Sequence, residues 1–262
     1  MSKRRKTSLV QKAKAHRKIT AALAVCLIAL VGVLLMRFSS AAVYDNVPDI
    51  SSPQCGNNGI VNGRRNFGIV GLNGTYMNFG TNPCVREQAN LFLSYDVYVG
   101  ANYPSSHCAG KSAFACGQAA AQHNLNLMSF LALKPTRVWI DVETGPKIKW
   151  SSDKNQNNAF FFFFYSGINA QHALIGHYSN QQMCQSITRG ANLGGSGNWY
   201  ATGRTNPTDA LAYCGMQFGG AANIYVQYIE NGVLDVNRSC SQNGKSIAPS
   251  APQRLQNPKP SK

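Results

Sequence analysis

Three observations predict an α/β chain closed into a (β/α) barrel of the TIM type, with room for irregularity, behind one N-terminal transmembrane or signal helix. Short runs rich in β-branched and aromatic residues alternate with longer Gln/Asn/Ala-rich stretches over roughly 200 residues, the pattern of a parallel sheet with crossover helices. Eight such short runs occur, the number a βα barrel needs. A separate apolar run, 19–36, carries no charge and stands behind a basic leader.

The leader, 1–18, is expected on the cytoplasmic side, because eight basic residues precede the apolar run and one, Arg37, follows it. At eighteen residues the run is at the short end for a membrane span and long for a signal-peptide core. Small residues at Ser39, Ser40, Ala41 and Ala42 offer a cleavage site. A cleaved signal and an uncleaved anchor both stay open, and either places the remainder outside the cytoplasmic membrane. Strands are expected at 47–50, 67–72, 97–102, 138–143, 174–178, 199–201, 215–218 and 224–228, and helices at 85–93, 113–133, 155–173, 181–187 and 208–212. The barrel is assigned to 43–242. The tail, 243–262, holds four prolines, four Lys/Arg and no acid, and is expected to be disordered.

Charge has to be located before it is interpreted. The 262-residue chain has a formal net charge of +15, and 44% of its residues are hydrophobic. The apolar fraction excludes wholesale disorder. Nine of the 25 Lys/Arg lie at or before Arg37 and four in the tail, which leaves twelve against all ten acids between them. The excess therefore marks topology and a basic tail, and a nucleic-acid partner is not expected.

Of eight cysteines, Cys26 lies in the apolar run and seven lie beyond it. Export favours pairing, although spacing alone does not fix connectivity. Cys108–Cys116 would close a short loop around Gly110; Cys55–Cys84 and Cys214–Cys240 are the next choices, leaving Cys184 as a buried free thiol. No spacing suits a metal, and neither a metal nor an organic cofactor is expected.

The sharpest local feature is Val138-Trp139-Ile140-Asp141-Val142-Glu143-Thr144-Gly145, an apolar strand running into Asp-x-Glu. Period two puts Asp141 and Glu143 on one face, with Cα atoms roughly 6.5 Å apart. Adjacent carboxylates repel, so one can keep its proton and act as a general acid, the arrangement glycoside hydrolysis requires. A solvated strand end is the plainer reading of that tripeptide alone. Asp49, at the end of the first strand, and Asp235, beyond the last, would face the same pocket in a closed barrel. No GxSxG, P-loop or GxGxxG pattern competes.

With these residues in place the chain resembles the family 25 glycoside hydrolases, the lysozyme or muramidase barrels, and in particular secreted, cysteine-containing bacterial relatives. The matching stretches are DISSPQCG (49–56), FGIVGLNG (67–74), NPCVREQA (82–89), VWIDVETG (138–145), IGHYSNQQMCQSITRG (175–190) and VQYIENGVLDVN (226–237). The resemblance implies cleavage of the β-1,4 bond between N-acetylmuramic acid and N-acetylglucosamine in peptidoglycan. It implies Glu143 as general acid and Asp141 as the group orienting the substrate's N-acetyl arm. Asp49 becomes a further catalytic-pocket carboxylate, and Tyr178, Trp150, Asp235 and Gln227 contact substrate. Departures fall at His177, at Cys184, where relatives carry Trp, and around Trp199; they bear on groove shape.

Other features have plainer readings. His177 is expected to be a structural histidine, and Asn73 and Asn237, both in glycosylation-like triplets, to be turn residues. Trp139, Trp150 and Trp199 are candidates for stacking on sugars, although Trp139 also suits the core. The block Phe160 to Phe164 with Tyr165 is expected to pack on the barrel, with a membrane-touching patch as the alternative. The expectation overall is an exported monomer acting on peptidoglycan or a related cell-wall glycan, attached to the membrane by its N-terminal helix if that is uncleaved. A catalytically inactive glycan-binding barrel is the alternative, and an envelope scaffold using the basic tail is a weaker third.

Overall fold

A computed structural model describes residues 45–74, 77–146, 148–242 and 245–246. The basic leader, the apolar run 19–36 and most of the tail, on which the topology and disorder expectations rest, lie outside the described residues. Among the described residues no helix is long and apolar enough to cross a membrane.

Eight strands close into a barrel in sequence order: β1 (Val47–Ile50), β2 (Phe67–Gly71), β3 (Ser94–Gly100), β4 (Val138–Asp141), β5 (Ile175–Ser179), β6 (Asn198–Arg204), β7 (Asn223–Glu230) and β8 (Leu234–Ser239). Strands β1 to β7 run parallel to their sequence neighbours. β8 runs antiparallel to both β7 and β1 and completes the ring. A two-stranded pair, Ser241–Gln242 with Lys245–Ser246, follows.

Among the described residues five α-helices, fewer than the eight of a regular βα barrel, cover the outside: α1 (Val85–Ala89), α2 (Ala113–Phe130), α3 (Lys154–Asn169), α4 (Gln181–Thr188) and α5 (Pro207–Leu211). Four begin at a residue whose short side chain accepts a backbone N–H: Ser112, Asp153, Asn180 and Asn206. The connection from β1 to β2 is made by 3-10 turns alone.

Two sequence expectations are overturned here. Residues 215–218 are not a strand: Gly215 ends a 3-10 turn, and Phe218 makes only an isolated bridge to Ala221. The eighth strand is Leu234–Ser239, so Asp235 lies within the last strand and not after it. Asn231 and Gly232, both at positive φ, turn the chain back between β7 and β8. That is the hairpin chemistry of an Asn-Gly pair.

Alternation along the strands sends one residue set inward and the other to the helical jacket. The inward set makes an aromatic plug. Trp139 meets Trp199 and Tyr225 edge-on, each at 5.8 Å between centroids, and Phe67 stacks on Tyr225. Gly176 makes the space: a Cβ there would lie 2.2 Å from the Trp139 ring. Both indole N–H groups are used, Trp139 donating to Asp96 Oδ2 at 2.8 Å and Trp199 to Asn237 Oδ1 at 2.6 Å. Trp139 and Trp199 are fully buried, which removes both as sugar-stacking surfaces.

The jacket takes the Phe block. Phe160, Phe161, Phe164 and Tyr165 are buried, and Phe163 packs edge-on against Phe114 at 4.1 Å. His177 is enclosed beside the Phe161 and Tyr165 rings, and burial pushes its pKa down to about 3. It is a neutral packing residue. Both glycosylation-like asparagines are also internal. Asn73 donates to Gly80 O and to Asn124 Oδ1, and Asn237 donates to Val47 O. Among the described residues the bridges are Cys55–Cys84, Cys108–Cys116 and Cys214–Cys240, with Cys184 free and buried.

Asp96 gives a test of the interior. Burial raises its pKa to about 6 from the model-compound value of 3.8, against the opposing pull of Arg137 and the Trp139 N–H. The folded state therefore holds this proton more tightly than the unfolded one, and stability falls as pH rises from about 4 to about 6. Asp96→Asn, which can still accept from Trp139, is expected to remove roughly 3 kcal/mol of that fall. Urea denaturation of both proteins across this range measures it.

Candidate active site

The parallel strands deliver their C-terminal ends to one rim, the rim that carries active sites in βα barrels. Asp49 is the penultimate residue of β1, Asp141 the last of β4, and Glu143 follows two residues on. Because β8 is antiparallel, its beginning lies at the same rim, and Asp235 stands directly opposite Asp49 in the β1–β8 register. Asp49 and Asp141 are buried, Glu143 is half-buried and Asp235 is exposed.

Among the described residues, none of the four carboxylates is in an ion pair; the two salt bridges, Arg64–Glu230 and Arg238–Asp45, lie elsewhere. All four are consequently pushed toward their protonated forms. Burial, then the charges of Glu143 and Asp49, hold Asp141 well above the usual carboxylate range. Burial, then Asp235, raises Asp49 against a hydrogen bond from Gln227. Glu143 is raised by burial and by Asp235; Asp235, exposed as a residue, is raised by the partial desolvation of its carboxyl. Oδ1 of Asp49 and Oδ1 of Asp141 are buried and make no hydrogen bond within the protein.

A polar relay fixes one side of the pocket. The Tyr178 hydroxyl donates to Gln227 Oε1 at 2.7 Å, and Gln227 Nε2 donates to Asp49 Oδ2 at 3.0 Å. Tyr178 sits over Trp199, with centroids 4.4 Å apart, so the aromatic plug is also the floor of the site. Trp150 uses its indole N–H on the Glu143 carbonyl at 2.8 Å and packs edge-on to Phe160. It braces the backbone behind Glu143. Ser179 Oγ donates to the Val142 carbonyl at 2.6 Å and braces the same segment from β5.

All seven sequence-predicted residues lie at this rim or directly behind it. Sequence reading missed Tyr98. Its phenol is buried on β3, is raised by burial and then by Asp49, and is hydrogen-bonded by Ser51, with Asp141 and Glu143 contributing. Gly71 admits it, since a Cβ there would come within 2.7 Å of the Tyr98 oxygen. Period two through Asp96, Tyr98 and Gly100 is the signal that could have found it. Among the described residues no cluster of His, Cys, Asp and Glu is spaced to hold a metal ion.

The fold is thus a closed eight-stranded α/β barrel with four of its acids at the C-terminal rim. Residues 73–211, more than half of the chain, match the family described as lysozyme-like protein 1, and the chain belongs to that family. No curated protein matches it. Among solved structures it is similar to the multimodular pneumococcal cell wall endolysin from phage Cp-1, with a TM-score of 0.54 and 17% identity over 80% of this chain and 58% of that one. The chain thus spans less than two thirds of that endolysin's length. It is also similar to the muramidase from Trichobolus zukalii (TM-score 0.54, 16% identity, 76% of this chain and 95% of that one). A third is the catalytic domain of endolysin ply40 from bacteriophage P40 of Listeria monocytogenes (0.51, 15%, 78% and 96%). At such identities these likenesses show the fold.

The relay has a measurable consequence. Gln227→Met leaves the buried Tyr178 hydroxyl and Asp49 Oδ2 without their partner and is expected to cost about 1–3 kcal/mol. It also removes the one hydrogen bond that holds Asp49 down. The cost should therefore be larger at neutral pH than at acidic pH, where Asp49 is protonated; denaturant titrations at the two pH values measure the difference.

Proposed function

We propose that this barrel is a cell-wall glycoside hydrolase of the muramidase type, working as the family 25 enzymes do on the β-1,4 bond between N-acetylmuramic acid and N-acetylglucosamine. One observation carries the reading: four carboxylates converge on one rim with no cation among them, and buried oxygens of Asp49 and Asp141 face no donor within the protein. Such a pocket attracts a ligand that brings hydrogen-bond donors and develops positive charge. Membership of a lysozyme-like family and likeness to two endolysins and a muramidase support peptidoglycan as the target.

In this reading Glu143, kept protonated by burial and Asp235, gives its proton to the glycosidic oxygen as the bond breaks. Asp141 accepts the N–H of the substrate's acetamido group, whose oxygen closes onto the sugar's anomeric carbon. Asp49 and Asp235 stabilise the cationic ring, with Asp49 steered by Gln227 and Tyr178. Glu143, now a carboxylate, takes a proton from the water that opens the intermediate, and the catalytic acid is regenerated. No bound cofactor enters this cycle. Export is supported by three disulfides and by the apolar run behind the basic leader.

Glu143→Gln is expected to lower the release of reducing sugar from purified peptidoglycan by about 10²–10⁴-fold while the protein stays folded. An unchanged rate removes Glu143 from the role. Binding of peptidoglycan by wild type with no product in mass spectra would favour a non-cleaving glycan-binding barrel. In the active case the high-pH limb of the rate profile should lie above the ordinary glutamate range, because the proton on Glu143 is held past 4.5.

A further inference from the structure

The end of the barrel opposite the carboxylates has a different surface. Strand starts, helix ends and the end of the reversed β8 collect there. Two of the chain's ten acids lie at that end, and neither is a free charge. Asp45 pairs with Arg238 at 3.2 Å, and buried Asp96 accepts the Trp139 N–H and faces Arg137. The other eight lie on or just beyond strand ends, or in the caps and first turns of helices, on the rim side. Against these two acids, the described residues of the far end include Arg65, Lys134, Arg137, Arg189 and Arg238.

Two bare apolar side chains sit among the cations. Leu93 is 86% exposed and Phe130 84%, the highest values for large apolar residues in the described chain. They stand on the neighbouring connections that enter β3 and β4. The Leu93 N–H donates to the Arg65 carbonyl at 2.8 Å, and Ser94 Oγ and Thr136 Oγ1 share a hydrogen bond at 3.0 Å. The Lys134 N–H donates to the Tyr95 hydroxyl at 2.9 Å, and the Leu133 N–H turns back to the Met128 carbonyl at the end of α2. These bonds join Arg65, Leu93, Lys134 and the helix end at Phe130 into one surface.

The chain also enters β1 at this end. The apolar run 19–36 stops nine positions before Asp45, at most about 30 Å of extended chain. β8 leaves at the same end, ahead of the basic tail. Uncompensated cations attract an anionic surface, and apolar tips gain only from one that also offers hydrocarbon. A wall polyanion offers charge alone, and a second copy of this face would bring like charge. The same anionic surface would repel the acids of the rim.

We propose that the far end of the barrel docks on an anionic phospholipid bilayer, with Leu93 and Phe130 entering the headgroup and acyl boundary and Arg65 and Lys134 on lipid phosphates. The carboxylate rim then faces away from the membrane. Docking of this kind is independent of what the rim cleaves, so the two assignments can fail separately.

The test uses the full-length chain with vesicles of phosphatidylcholine, alone or mixed with phosphatidylglycerol, whose acyl chains carry bromine as a fluorescence quencher. Phe130→Trp puts an indole on the docking face. Val233→Trp puts one on the β7–β8 hairpin at the rim end, where Val233 is also exposed. Neither change disturbs the core, and wild-type emission is subtracted. An interfacial apolar side chain lies about 5–10 Å deep, so Phe130→Trp should lose about half or more of its added emission on phosphatidylglycerol vesicles. Val233→Trp should lose none. Arg65→Glu with Lys134→Glu, added to Phe130→Trp, should weaken docking about a hundredfold and restore the emission. Emission from Phe130→Trp unchanged by anionic vesicles overturns the proposal, even when the chain is held on them through 19–36. Equal quenching of the two indoles overturns it as well, as does quenching that survives the charge reversal. Retention on a soluble wall polyanion without quenching would assign the face to that polymer instead.

Discussion

Asp49 and Asp235 face each other across an antiparallel strand pair, and no cation separates them. This juxtaposition exists only because β8 returns against β7 and closes the ring from the opposite direction. A parallel eighth strand would have placed its beginning at the far end of the barrel. With β8 reversed, its start joins the ends of β1 and β4, and four acids share one low-dielectric rim. Their protonation then becomes collective: Asp235 raises both Asp49 and Glu143, and Glu143 and Asp49 raise Asp141.

The remainder of the barrel tolerates and uses that concentration of charge. The Trp139, Trp199 and Tyr225 plug excludes water beneath the site and seats Tyr178. Two disulfides lie on the loops above it. Cys55–Cys84 ties the segment after β1 to the start of α1, and Cys108–Cys116 ties the loop after β3 to α2. Cross-links of this kind contribute typically about 2–4 kcal/mol through the unfolded chain. Cys55 belongs to the β1–β2 connection, which has 3-10 turns in place of a crossover helix.

Much of this was legible in the residues. Strands β2 to β5 and β7 announce themselves by β-branched and aromatic runs, and Asp-x-Glu marks the rim because a strand and its alternation are local. The bridges were among the pairings that the sequence suggested, although spacing alone left them open. β8 escapes the sequence pattern because a repeating strand–helix alternation argues for parallel units, which puts the seventh strand at 215–218 and the last at 224–228. The Asn231-Gly232 turn was the contrary signal, a hairpin marker inside VQYIENGVLDVN. The plug depends on which residues meet across strands far apart in sequence. Local pattern carries no such information, which is also why Trp139 and Trp199 could be mistaken for sugar-stacking surfaces.

The central claim is that the rim carboxylates titrate as a coupled, uncompensated group. Carboxyl-carbon NMR of the aspartates in wild type and in Glu143→Gln addresses it directly. The account predicts that Asp49 and Asp141 titrate above the ordinary aspartate range in wild type, and that Asp141 moves down when the Glu143 charge is removed. Ordinary midpoints near 4 for both, unchanged by the substitution, would contradict it.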